Sequence, residues 1–142
     1  QWDLVLKYLE TKGTAQADLK TNSTAWGNCY NNLWNITNAN SKYAPYAPSG
    51  SKWTSGAYGT KSSNKGVLLS TGASETFSKQ GIYDIAGNVG EWTLEYTSYS
   101  STPCAARGGE YLSYGSIITA ANHSNSLTSI YGVNIGFRFS LF

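Results

Sequence analysis

Few groups in this chain of 142 residues have chemistry to offer. They are two cysteines, one histidine and the carboxylates Asp84 and Glu91, which flank the run Ile85-Ala86-Gly87-Asn88-Val89-Gly90. Two thiols cannot build a disulfide framework, so Cys29 and Cys104 either pair once or stay as small buried thiols. One imidazole cannot form a two-histidine, one-carboxylate iron site. It also leaves no good general base near a Ser or Cys nucleophile for triad chemistry. His123 sits in the polar run Asn122-His123-Ser124-Asn125 and reads as a loop residue. Asp84 and Glu91 offer hard oxygen atoms around a tight turn. That suits Ca²⁺, and it equally suits two carboxylates that cap turn N–H groups.

The second candidate is a surface. Residues 110–133 are rich in Tyr, Ser, Asn and Ile. Tyr111, Tyr114 and Tyr131 offer large contact area at low entropic cost, as binding loops use them. Ser113, Ser116, Asn122, His123, Asn125 and Ser126 offer adaptable hydrogen bonds. Leu112, Ile117, Ile118 and Ile130 are apolar residues in a polar run. Exposed, they would anchor a protein partner; buried, they are core.

The elements that must position these groups are unevenly legible. Trp2, Val5, Leu6 and Leu9 fall on one face at helical spacing, which predicts a helix over residues 1–10 that Gly13 stops. Residues 11–80 show little periodicity. Trp26, Tyr30, Trp34, Tyr43, Tyr46, Trp53 and Tyr58 recur there, so the stretch is expected to be irregular coil pinned by aromatic anchors. A short strand is expected over residues 66–70. After the Gly87-Asn88 turn an alternating strand with Val89, Trp92 and Leu94 is expected, and a final half-buried strand with Phe137, Phe139 and Leu141.

Composition excludes some functions. Charged residues make up 13% of the chain and the net charge is +2 without a Lys/Arg run, so the footprint of a nucleic-acid partner is missing. The longest apolar runs are too short for a transmembrane segment. With no Met and an opening inside a helix, the chain is expected to be one domain, residues 1–142, the C-terminal portion of a longer protein.

Three segments in order carry a family resemblance. They are Gly81-Ile82-Tyr83-Asp84 through Gly87-Asn88-Val89-Gly90-Glu91-Trp92, then Arg107-Gly108-Gly109, then Ile135-Gly136-Phe137-Arg138. Together they resemble the formylglycine-generating enzyme (sulfatase-modifying factor) family, and Gln1-Trp2-Asp3 looks like that family's Glu-Trp-Glu helix start. The resemblance implies an α+β fold of the C-type-lectin-like kind, rich in loops, with the family's N-terminal part not present here. It also implies a calcium held by the side chains of Asp84 and Glu91 and the carbonyls of Gly87 and Val89, a structural role. The chain departs from the pattern in two ways. Gly90 stands where the family has a Trp. The oxidase members carry two copper-binding cysteines shortly after the Gly-Gly pair, and those positions here are Ser113 and Ile118. Copper(I) needs soft thiolates, so the chain is expected not to be an oxidase of that kind.

Residues 110–133 also resemble the variable region of proteins diversified by retroelements, non-catalytic members of the same fold. Adenine-directed mutagenesis yields mostly Tyr, Ser, Ile, Thr, Asn, His and small residues. That implies a variable binding protein on a phage virion or bacterial cell surface, taking a protein ligand on a host or neighbouring cell. An ordinary polar loop pair in a fixed protein is the plain alternative. A sugar-binding lectin would want a Glu-Pro-Asn or Gln-Pro-Asp tripeptide, and neither occurs.

Overall fold

The structure is a computed structural model that describes residues 1–47, 50 and 52–138. The expected N-terminal helix is present as α1, Trp2–Thr11. Trp2, Leu6 and Leu9 are buried, with Val5 packed beside them. Gly13, in the left-handed region at φ +95°, turns the chain back. A second short helix, α2 (Gln16–Lys20), adds Leu19 to the same core. The Trp2 indole donates to the Ala120 carbonyl at 2.9 Å, so α1 lies against the C-terminal third of the chain.

The stretch expected to be irregular contains short strands: β1 (Trp34–Ile36), β2 (Lys42–Pro45), β3 (Thr54–Ser55), β4 (Gly59–Lys61) and β5 (Val67–Leu69). None exceeds four residues, too few for a period of two to register in sequence. β1 pairs with β4, and β3, β2 and β5 form a second sheet in that order. The aromatic anchors divide. Trp26 and Trp34 are buried, and Trp34, Tyr43 and Tyr58 meet edge to face around a second core with Ile36, Val67, Leu69 and Phe77. Tyr46 and Trp53 are exposed and anchor nothing in that core, contrary to expectation.

After a small hairpin, β6 (Ser78–Lys79) with β7 (Ile82–Tyr83), comes the main sheet. It consists of β8 (Gly90–Tyr96), β9 (Cys104–Arg107), β10 (His123–Ser126) and β11 (Ile135–Phe137), in the order β10-β9-β8-β11. β8 and β11 run parallel; the other pairs are antiparallel. The mixture of two helices and these sheets is α+β. The alternation expected for β8 is corrected here. Glu91 is the buried residue, Trp92 is half-buried and Leu94 is 97% exposed. An irregularity between Trp92 and Tyr96 puts extra residues in β8, and Arg138 draws Glu91 inward. Of the expected last strand, Phe139, Ser140 and Leu141 lie outside the described residues. Cys29 is buried and Cys104 half-buried, and both are free thiols.

The two cores are joined by asparagine side chains. The Asn88 side chain accepts from the Leu69 N–H at 3.1 Å and donates to the Leu69 carbonyl at 3.0 Å, standing in for a strand beside β5. Asn28 donates to the Val67 carbonyl at 2.8 Å and to Asn88 Oδ1 at 3.0 Å. These contacts cover a buried sheet edge that would otherwise be unsatisfied. Asn88→Ala is therefore expected to destabilise by about 3 kcal/mol, because two buried main-chain groups lose their partners. A lower urea midpoint with an unchanged slope checks it.

Candidate functional site

The first site grows from a turn. Asp84, Gly87 and Asn88 all take left-handed backbone, at φ 55°, 70° and 62°. The Gly87 N–H donates to the Gly108 carbonyl and the Asn88 N–H to the Asn28 carbonyl, each at 2.8 Å. Asp84 is 4% exposed, and its carboxylate accepts the Gly72 N–H at 3.2 Å. Burial pushes its pKa up to about 6, against the pull of the Gly72 N–H and the Arg138 charge. Glu91 is buried too, and Arg138 holds both of its oxygens, at 2.8 and 2.6 Å. The same guanidinium reaches the Asp84 carbonyl at 3.3 Å. The four residues expected to share a calcium thus run from this turn into the start of β8. Asp84 suits a hard cation, being a buried carboxylate with little to offset its charge. Glu91 is already engaged by the positive charge of Arg138.

The second site grows from Gly108 and Gly109, at φ +91° and +78°. A Cβ on Gly108 would press on the Trp2 ring and the Ile85 carbonyl, and one on Gly109 on the Ile118 carbonyl. The pair swings the chain off β9 and folds the following loop over the main sheet. Between them lies a cleft of about 260 Å³. Gly90, Ala106, Ser124, Ser126 and Ile135 line it from the sheet. These residues lie in register across all four strands, hence on one face. Glu110, Ser113, Ile118 and Asn122 line it from the loop, with Ile130 and Asn134 beyond.

The binding residues expected from sequence separate into groups. Ser113, Ile118, Asn122 and Ser126 line the cleft. Tyr114, Ser116 and Ile117 are exposed on the loop, where Tyr114 tilts against Tyr30 at 5.7 Å. Tyr131 is 94% exposed. His123 and Asn125 are exposed but alternate with Ser124 and Ser126, so they leave the cleft face. His123 faces Glu95 at 3.3 Å instead. Leu112 is half-buried near Gly66. Tyr111 is the correction: it is fully buried, and its hydroxyl has no hydrogen-bond partner among the described residues. Burial raises the pKa of its phenol. A core side chain cannot serve as a contact residue.

Sequence reasoning missed Glu110, Ser124 and Asn134, while Ile130, expected as an apolar anchor, does line the cleft. The period of two in His123–Ser126 could have marked Ser124 as the partner of Ser126. Nothing in the sequence marks Glu110, whose carboxylate accepts from the Ser113 hydroxyl at 3.1 Å and from the Asn134 side-chain amide.

Compared with known families, residues 7–140 match the sulfatase-modifying factor enzyme 1-like domain. Neither a curated protein nor a solved structure matches the chain.

Proposed function

The chain belongs to the sulfatase-modifying factor enzyme 1-like family, and from that premise we propose a C-type-lectin-like domain that binds a ligand and does not catalyse. The observation that supports this is the lining of the cleft. Ser113 and Ile118 both face it, and they occupy the positions where the oxidase resemblance calls for thiols. A hydroxyl and a sec-butyl group cannot hold copper(I). What remains is a concave surface of Ser, Asn and Ile beside exposed Tyr114 and Tyr131, the residue set of adaptable binding loops.

The specific form of the proposal is the variable protein of a diversity-generating retroelement. It would be carried on a bacterial surface or phage virion and would grip a protein on a host or neighbouring cell. Sequencing the locus across a source population tests it. Substitutions are expected at adenine-derived codons for Ser113, Tyr114, Ser116, Ile117, Asn122 and Tyr131. Buried Tyr111, Thr119 and Ala120 are expected to stay fixed. An invariant 110–133 segment would remove the retroelement reading and favour a fixed carbohydrate-binding or structural module. Aldehyde formed on a cysteine-containing sulfatase-type peptide, with oxygen and copper, would overturn the non-catalytic reading itself.

Calcium enters as part of the same proposal. Asp84, the Gly87 and Val89 carbonyls and Glu91 would hold one ion that ties turn to strand, with Glu91 shared between the ion and Arg138. An ion that binds only the folded state must stabilise it. Millimolar Ca²⁺ is expected to raise the melting temperature over that in chelator, and Asp84→Asn is expected to abolish the increment. Equal melting temperatures with and without the ion would remove calcium from the account.

A further inference from the structure

We propose that the cleft beneath the 109–122 loop takes one basic side chain, lysine or arginine, from a protein partner, with its charged end on Glu110. This rests on the binding reading above and gives it a ligand chemistry.

The main sheet sorts its charges by face. Glu91, Arg107 and His123 are in register across β8, β9 and β10, and so share a face. Glu95 pairs with Arg107 and faces His123, Asp3 pairs with Arg107, and Arg138 pairs with Glu91. On that face each of these carboxylates has a guanidinium partner. Residues of the other parity, Gly90, Ala106, Ser124, Ser126 and Ile135, carry no charge and form the cleft floor. Arg107 also borders the cleft, but its guanidinium is held by Asp3 and Glu95.

Among the described residues, Glu110 is then the one carboxylate opening on the cleft. Its partners are both neutral: the Ser113 hydroxyl and the Asn134 amide. Among the described residues no Lys, Arg or His pairs with it. A carboxylate has about four acceptor sites, and two neutral donors orient it without matching its charge. Ile118, Ile130, Ile135 and Ala106 supply apolar walls on the way to it. A lysine or arginine has the matching form, an aliphatic stem that packs on apolar surface and a charged tip. An acidic side chain would meet like charge there, and a purely apolar one would leave Glu110 desolvated without a partner.

The test is selection of a phage-displayed random dodecapeptide library on the full chain and, in parallel, on Glu110→Gln. The amide keeps the size and one acceptor, so its melting temperature is expected to match the parent. Peptides selected on the parent are expected to share a Lys or Arg. Replacing that residue with Ala, or Glu110 with Gln, is expected to weaken binding at least tenfold, and the two losses are expected not to add. Ser113→Lys, which brings an ammonium from the loop itself to Glu110, is expected to block the same peptides. Peptides that bind without a basic residue, or ignore both variants, overturn the inference and leave the binding reading standing. Failure to select any peptide on either protein removes the binding of protein ligands and this inference with it.

Discussion

Replacing Gly87 with alanine is expected to lower the free energy of unfolding by about 3–5 kcal/mol, a large share of the roughly 5–15 kcal/mol a domain has. Two costs combine. Gly87 holds φ +70°, where a Cβ meets the following carbonyl at a cost of about 1–2 kcal/mol. The added Cβ would also press on the Asn28 backbone, 2.7 Å from the carbonyl carbon. Overpacking of that kind costs about 1–3 kcal/mol or more, and backbone cannot swing aside as a side chain can. Gly81 supplies the control. Its φ is +74°, but a Cβ there meets open space. Gly81→Ala is expected to cost about 1 kcal/mol. Urea titrations of both variants separate conformational strain from the clash. Equal losses would show that the approach of Asn28 to Gly87 contributes nothing.

A second large effect is expected at Lys61, which is 1% exposed. Its ammonium donates to the Cys29 carbonyl at 2.7 Å and lies 5.4 Å from the centre of the Trp34 ring. No carboxylate pairs with it among the described residues. Burial lowers its pKa from 10.5 to about 8, partly offset by Cys29. Between those values the unfolded chain binds the proton and the folded chain does not. Stability from this group therefore rises as pH climbs from 8 to 10.5, by about 3 kcal/mol in all. Cys29 acts oppositely: burial raises its thiol pKa from 9.0 to about 12, so its contribution falls over that range as pH rises. In Lys61→Met the rising limb should vanish while the falling one remains. Subtracting the two pH profiles of unfolding free energy isolates Lys61. A difference that stays flat from pH 7 to 10.5 would mean the ammonium is hydrated and not buried.

Lys61 also shows why parts of this molecule were illegible beforehand. Charged residues default to the surface, and only the folded arrangement places this one under Trp34. Helix α1 was legible because four apolar residues repeat at one spacing over three turns. The turn before β8 and the Gly108-Gly109 corner were legible because few residues tolerate their backbone, so their spelling is constrained. Tyr111 was misplaced because a tyrosine in a polar run reads as surface, while its burial depends on Gly66, 45 positions earlier. Leu94 erred the other way, since the irregularity in β8 has no spelling of its own. In the cleft, Ser113, Ile118, Asn122, Ser126 and Ile130 were foreseen from residue type. Glu110, Ser124 and Asn134 depended on which strand face each met.

The docking of α1 has a consequence for how the chain folds. The bond from Trp2 to Ala120 spans 118 residues, the pair of Asp3 with Arg107 spans 104, and the bond from Ala120 to Ser23 spans 97. A helix of this length forms in well under a millisecond, yet apart from Leu19 and Trp26 its apolar face has nothing to rest on until the distant segment arrives. Contacts of such separation slow folding, because the closure entropy comes before the reward. During synthesis the apolar stripe of Trp2, Leu6 and Leu9 stays partly uncovered until the segment around Ala120 has emerged. Such exposed stripes are where aggregation begins. Any change in residues 110–133 that displaced Ala120 would then act on the yield of folded protein before it acted on binding.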